Sequence, residues 1–511
     1  MQETEIKSES NFWTQKKTII ALAISLLALA EIVDLTIVAV AIPQIMGAVG
    51  ANIETIADVT TIYIVAAAIC ILLSGLVIEK YGMKRVALVS AMIFGVSSAL
   101  CGISTSLTEM IIFRGLQGIG GAFLPSLAQA YISTNFKKDE FNKMMAVYSM
   151  VIVMGPILGP VLGGAITENM SWRWIFYVNV PICLVAGIMI FIMMDNTKIK
   201  NIKIDYISFG FMAIGIGCLE LFVDNGNTNG WFDSIEIIIL LAIAIIGIGF
   251  FLWRGITYSS VIKLSIFKNL NFVIASFLCF TFVLLFSAAM AYLPTMLQQI
   301  YNYPVDLAGY ITAPRGVAAA ATAIVAQGFL IKRIGCRTTM SSGMVIFAIS
   351  SFMQAHFSNV PSELHILTTT MLQGVGMMLF FIPLMQMVTV GIKEEDMGDM
   401  SGAFNFFRNF GGSVGTAFVA TIISRAQQVN FQEVGNSISA LSPNFQAWSQ
   451  SSPFNDLTTQ VAMAQQQVLF QSSLMSYLDS FYIVGLASLG LAVFPFFLKE
   501  PPKDAPAVMG H

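Results

Sequence analysis

Gly75-Leu-Val-Ile-Glu-Lys-Tyr-Gly82 returns 253 residues later as Gly328-Phe-Leu-Ile-Lys-Arg-Ile-Gly335. Two further echoes keep nearly the same register. Leu116-Gln117-Gly118-Ile119-Gly120 pairs with Leu372-Gln373-Gly374-Val375-Gly376, and Gly155 and Gly159 pair with Gly411 and Gly415, each at an offset of 256. One such echo is weak, but three in register describe a chain built twice.

What is repeated is apolar. Of the 511 residues 56% are hydrophobic and 11% charged, against roughly 25% charged in a soluble domain. Runs of about 20 apolar residues, each long enough to cross a hydrocarbon core as a helix, recur from Thr18 to Leu498. In lipid the backbone must satisfy its own hydrogen bonds, which selects helices. The pattern predicts an all-α integral membrane protein with spans near 18–42, 54–78, 84–104, 107–133, 143–167, 174–194, 204–224, 235–254, 271–297, 306–331, 338–357, 364–392, 400–424 and 476–498. Each echo falls in corresponding spans of two six-helix bundles, 18–195 and 271–498, so the helices over 204–254 are an inserted pair and the plan is 6+2+6. Two like halves facing across a midplane cavity are the architecture of alternating-access transporters. The polar stretch 1–17 precedes a first span without a clear cleavage site, so that span reads as retained. Residues 499–511 read as a cytoplasmic tail.

With a cytoplasmic N-terminus, 21 of the 26 Lys and Arg fall in cytoplasmic segments, among them Lys80/Lys84/Arg85, Lys137/Lys138/Lys143 and Lys332/Arg333/Arg337. That asymmetry sets both termini on the cytoplasmic side. The extracytoplasmic loop over 425–475 is rich in Gln, Ser and Asn; it reads as a flexible segment or as short amphipathic helices that dock a partner. The cysteines form no Cys-x-x-Cys, and the histidines match no metal spacing, so no metal site is expected. No Gly-x-x-x-x-Gly-Lys-[Ser/Thr] loop is present, which argues against an ATP-driven pump. No nucleophile elbow or histidine cluster suggests an enzyme, and no nucleic-acid partner is indicated.

Helix 4 carries Arg114-Gly-Leu-Gln117-Gly118-Ile-Gly120-Gly121-Ala122, and helix 5 carries Gly155-Pro156-Ile-Leu-Gly159-Pro160-Val-Leu-Gly163-Gly164. Trp172-Arg173-Trp174-Ile175-Phe176-Tyr177-Val178-Asn179-Val180-Pro181 follows, with Asp34-Leu-Thr-Ile-Val-Ala-Val-Ala-Ile-Pro43, Ala313-Pro314-Arg315-Gly316 and Asn405-Phe-Phe-Arg408-Asn-Phe-Gly411 elsewhere. Together these resemble the fourteen-helix drug:proton antiporters of the EmrB/QacA type in the major facilitator superfamily, over nearly the whole chain. Ile204-Asp205, Asp224-Asn-Gly226, Trp231-Phe232 and Ser442-Pro443-Asn444 lie nearest the EmrB side of that family. The resemblance implies the major facilitator fold, proton-driven export of hydrophobic or amphipathic molecules from a bacterial inner membrane, and no cofactor beyond the proton gradient. It also implies a periplasmic adaptor of the EmrA kind and an outer-membrane channel where the host is Gram-negative. A dedicated exporter of one metabolite, such as a siderophore or a lipid-like acid, and an uncoupled facilitator share the same machinery and stay open.

A charge near mid-bilayer costs roughly 2.5–3.5 kcal/mol, so each one asks for a reason. Glu31 and Asp34 share a face of helix 1. Counted at about 1.5 Å per residue, Asp34 lies roughly 13 Å and Arg114 roughly 10 Å below the outer boundary. Helices 1 and 4 are neighbours in the family fold, which implies an Asp34–Arg114 pair that takes up a proton; a permanent structural ion pair is the alternative. Glu31 is a second protonation site or an attraction point for a cationic drug. Gln117, Asn405, Arg408 and Arg315 are expected to line the cavity. Gly155, Gly159 and Gly163, one turn apart with Pro156 and Pro160 between them and Gly164 beside them, form a smooth and bendable stripe. Glu220 and Asp224 read as snorkelling groups at the outer end of helix 7. Gly75, Glu79, Lys80, Gly82, Lys84 and Arg85 form a cytoplasmic latch that departs from the family pattern, with Glu79 for Asp, Lys80 for Arg and Met83 for a basic residue. The second half has Lys332 at the place of Glu79 and Thr370 at that of Arg114, so proton coupling is expected in the first half.

Overall fold

The computed structural model describes residues 15–136, 138–197, 199, 205–258, 263–436, 445–447 and 457–500, and what it describes is helical. The first bundle comprises α1 (Lys16–Val49), α2 (Asp58–Ile71 and Ser74–Tyr81), α3 (Met83–Ile103), α4 (Leu107–Gly121 and Phe123–Asn135), α5 (Lys138–Asn169) and α6 (Trp174–Tyr177 and Asn179–Met193). Then come α7 (Tyr206–Gly226) and α8 (Ile235–Thr257). The second bundle comprises α9 (Leu270–Gln299), α10 (Val305–Thr312 and Pro314–Val325, then one π turn), α11 (Ile331–Ala355), α12 (Glu363–Met387), α13 (Met397–Asn436) and α14 (Leu457–Leu491).

Among the described residues eleven helices are long and apolar enough to cross a membrane, or twelve when the two parts of α2, bent by 58°, are counted as one. The continuous stretch Leu307–Ala355 breaks at Gly335, where φ is +83°, so it holds two rods. The polar residues of α13, such as Asp399, Asn405 and Arg408, keep it below the hydropathy of its neighbours. The element order is therefore consistent with fourteen crossings.

The internal repeat is visible in contacts. Gly82 and Gly335, paired in the sequence echo, both have positive φ, +84° and +83°, a conformation glycine adopts without strain. Ser106 caps α4 and Ser362 caps α12, each accepting from the backbone N–H three residues on. Gly118 lies against the Tyr63 carbonyl as Gly374 lies against that of Arg315, and Gly120 meets the Phe94 N as Gly376 meets the Phe347 N.

Two expectations change. The segment over 425–475 is not a single loop: α13 continues to Asn436, residues 445–447 are a short helical piece, and α14 begins at Leu457. Its polar residues pair the two helices, Gln427 donating to Ser473 (2.8 Å) and Asn430 to Ser476 (3.2 Å). Residues 437–444, including Ser442-Pro443-Asn444, lie outside the described residues. Glu220, read as snorkelling, is 1% exposed, because α7 packs inward on α2 and α13. Asp224, one turn further out, is exposed and accepts from Thr61.

Candidate functional site

Asp34 and Arg114 meet. Arg114 Nη1 lies 2.5 Å from Asp34 Oδ2, and neither side chain has any exposure. α1 and α4 are held at this level by close packing around glycines. Gly118 on α4 sits on the Tyr63 carbonyl, and Gly121 faces Glu31 and Tyr63. The rest of the shell comes from α2, α3 and α6. Asp34 Oδ1 accepts from Gln117 Nε2 (2.9 Å) and Asn179 Nδ2 (2.8 Å). Both amides also donate to Ser98 Oγ (3.1 Å each), which donates to the Phe176 carbonyl (2.9 Å). Arg114 donates to the Val59 carbonyl (3.3 Å) and to Gln117 Oε1 (2.9 Å), and its guanidinium lies 4.1 Å from the Tyr63 ring centroid. A buried ion pair survives when geometry is good and its remaining polar atoms are bonded, and Asp34 is in that state. Arg114 Nη2 has no hydrogen-bond partner; the guanidinium as a whole stands over the Tyr63 ring, whose face attracts a cation.

Gln117, expected on the cavity wall, lies inside the Asp34 network. Tyr63, Ser98 and Asn179 join that network without having been expected there. Asn179 stood within a quoted motif and Cys101, which donates to Gln117 Oε1 (3.6 Å), within an apolar run; Tyr63 and Ser98 carry no spacing signal at all.

One turn below, Glu31 is fully buried and neither carboxylate oxygen has a hydrogen-bond partner. Tyr63 OH is likewise without one. Across the interface from Glu31, on the other half, Arg408 is near enough to act on it electrostatically. Arg408 donates to Asn409 Oδ1 (3.0 and 3.2 Å), while its Nη1 is unpartnered. Asn405 donates to Gln129 Oε1 of the first half (2.8 Å). Glu31, Tyr148, Asn405 and Arg408 thus form a polar patch where the halves meet. Arg315 is 2% exposed and stands apart, its Nε and Nη2 unpartnered.

The glycine stripe of α5 lies on α1 at the level of Asp34. A side chain at Gly155 would strike Ile32, one at Gly159 would strike Thr36, and one at Gly163 would press on Ile37 and Val40. Gly164 faces open space. Pro156 and Pro160 lie within this unbroken helix; each lacks the N–H that would bond one turn back, which leaves the helix easier to bend there.

At the end of the bundles that carries Gly75–Gly82, the polar contacts are organised around a residue outside that motif. Lys263, just before α9, bridges Glu79 (2.7 Å), Asp396 (3.0 Å) and Asp399 (3.7 Å). Desolvation opposes its charge, yet the hydrogen bonds to Glu79 and Asp396 leave the ammonium well above the usual lysine range. Gly75 is pressed against Gly398 and Asp399. Of the motif's own cations, Lys80 lies over Tyr81 and Lys84 over Phe191 (5.4 and 5.5 Å), and Arg85 is exposed. Gly82 turns the chain beside Thr197.

A family model described as "Major Facilitator Superfamily" matches residues 24–416. "Multidrug export protein EmrB" of Haemophilus influenzae is 31% identical over 490 residues, covering 94% of this chain and 96% of that one. "Fatty acid resistance protein FarB" of Neisseria gonorrhoeae is 28% identical over 80% of this chain and 82% of its own. Among solved structures, the proton:xylose symporter XylE superposes with a TM-score of 0.59 at 13% identity, over 95% of this chain and 97% of the symporter, a likeness of fold.

Proposed function

We propose that this chain, which belongs to the Major Facilitator Superfamily, is a multi-pass membrane transporter that exports hydrophobic or amphipathic small molecules in exchange for protons. Export is the reading that similarity to the EmrB multidrug export proteins supports. Proton coupling is carried by one observation: a fully buried Asp34–Arg114 pair whose acid is held by Arg114, Gln117 and Asn179.

A proton reaching Asp34 from outside removes the negative charge that Arg114 faces. The arginine then stands in a low-dielectric site without a counter-ion, an arrangement that breaking a buried pair makes costly by roughly 3–5 kcal/mol. A conformation in which α4 and α1 shift and Arg114 is hydrated becomes favoured, and the α5 stripe is the smooth surface on which α1 moves. In the cytoplasm-open state, facing a lower proton activity, Asp34 loses the proton and substrate binds. Because each ligand favours a different protonation state, the two ride in opposite directions. The Glu31 carboxylate and the Arg408 Nη1, both without a hydrogen-bond partner at the interface, suit an amphipathic substrate that brings its own charge.

The distribution of Lys and Arg supports a bacterial inner-membrane orientation with both termini cytoplasmic. The paired extensions of α13 and α14 beyond the bilayer are then the place where a periplasmic adaptor docks. The test is reconstitution in liposomes with an imposed pH gradient, following a fluorescent lipophilic cation and, in parallel, a labelled fatty acid, with an uncoupler as control. Uncoupler-sensitive transport of either supports antiport; transport of both that ignores the gradient points to a facilitator.

A further inference from the structure

The inserted helices do more than link the bundles. α7 packs on α2 of the first half and on α13 of the second, which also touch each other, so it lies over a seam between the halves. Gly217 lets it approach Val65 and Ile69 on α2. Trp231, just beyond α7, donates to Thr421 on α13 (3.0 Å), and Asp224 accepts from Thr61 on α2. Between these clasps Glu220 points into a narrow cleft lined by Thr61, Ile64, Val65, Asp224 and Ser413. It is 1% exposed, and neither carboxylate oxygen has a hydrogen-bond partner. Ser413 is the polar side chain nearest to engaging it.

We infer that Glu220 is a proton-binding site of the outer seam, neutral while α2, α7 and α13 are closed together and ionised when the seam opens to water. Ionised in place, it would be an unpaired charge away from solvent, which is strongly disfavoured. Among the described residues no cation faces it. α2 offers Thr61 and, near Asp224, Asp58; α7 adds Asp224; α13 offers Ser413, with Arg408 turned to Asn409. The cleft has no enclosed space that would hold even a water molecule, against roughly 300–1,000 Å³ for drug-sized pockets, so its ligand is a proton rather than a transported molecule. Opening hydrates Glu220 and releases the proton; external acid favours closure. The inference rests on alternating access, though not on the Asp34 coupling.

The test is a distance measurement between spin labels at Ala57 and Ser424, both exposed, in otherwise cysteine-free protein in lipid, across external pH. Linkage of one proton contributes up to about tenfold per pH unit to the open-to-closed ratio. Glu220→Gln is expected to remove that contribution and hold the seam closed as pH rises. An unchanged pH dependence overturns the inference. If Glu220→Gln fails to fold, Glu220→Asp decides: a shifted midpoint supports the site and an unmoved one overturns it. Asp34→Asn in the same assay separates the readings, since it can abolish coupled transport while leaving the Glu220 dependence intact.

Discussion

At Arg114 one side chain satisfies four neighbours: the Asp34 carboxylate, the Val59 carbonyl, Gln117 and the face of Tyr63. Removing it alone leaves Asp34 buried with amide donors only. Arg114→Ala is therefore expected to destabilise the protein by roughly 3–5 kcal/mol, and Asp34→Asn/Arg114→Gln, which removes both charges, to recover much of that loss in thermal unfolding. Arg114→Lys keeps the charge but not the planar fork, and is expected to fold yet transport poorly. Asp34 and Arg114 were legible as a pair because two opposite charges stand at similar depth in apolar helices that the family resemblance makes neighbours. Tyr63, Ser98 and Asn179 were not: a tyrosine, serine or asparagine in a span is ordinary, and only packing of α2, α3 and α6 brings these to one carboxylate. Gln117 was legible as polar on the Arg114 face, but not whether that face looked at water or at Asp34.

Among the elements, the α5 stripe makes a claim about sliding surfaces. Gly159→Ala places a methyl where Thr36 stands, whereas Gly164→Ala meets nothing within 4 Å. The first is expected to cut the transport rate at least about tenfold, the rate equivalent of 1.4 kcal/mol, and the second to be tolerated, in reconstituted vesicles. Sequence spacing marked all these glycines alike; only the position of α1 separates them. The inserted pair is tied at the start of α7 and the end of α8 by Arg254 donating to Asp205 (2.7 and 3.2 Å). That hydrogen bond, opposed by desolvation and helped by the backbone N–H of Ser208 and Ile207, holds the Asp205 carboxyl below the usual range. Its folded value lies below its unfolded one, so its stabilisation is present above the unfolded value near pH 4 and is lost as pH falls through the folded one. Asp205→Asn is expected to lower the melting temperature at neutral pH, with the gap to the parent closing below about pH 4. The long polar segment after helix 13 was misread as a loop because its Gln, Ser and Asn pair with one another between two helices, a partner that composition does not reveal.

Across the whole molecule, the described hydrogen bonds and ion pairs between halves gather toward the end of the bundles that carries Gly75–Gly82. Gln129 binds Asn405, and Lys263 joins Glu79 to Asp396 and Asp399. This is the closed side of the two-bundle design that the 253–256-residue echo announced. The echo gave no hint of Lys263, since that residue lies in a connection without a counterpart in the first half. Lys263→Glu would set four carboxylates together, and is expected to raise the labelling rate of a cysteine at buried Ser74 by a membrane-impermeant thiol reagent from the cytoplasmic face. On the proposed mechanism Asp34 carries the proton that drives export, and liposomes decide it by comparing Asp34→Asn with the parent in two modes, accumulation driven by a pH gradient and exchange without one. Loss of accumulation with exchange retained is the predicted result; accumulation that continues undiminished in Asp34→Asn would contradict it.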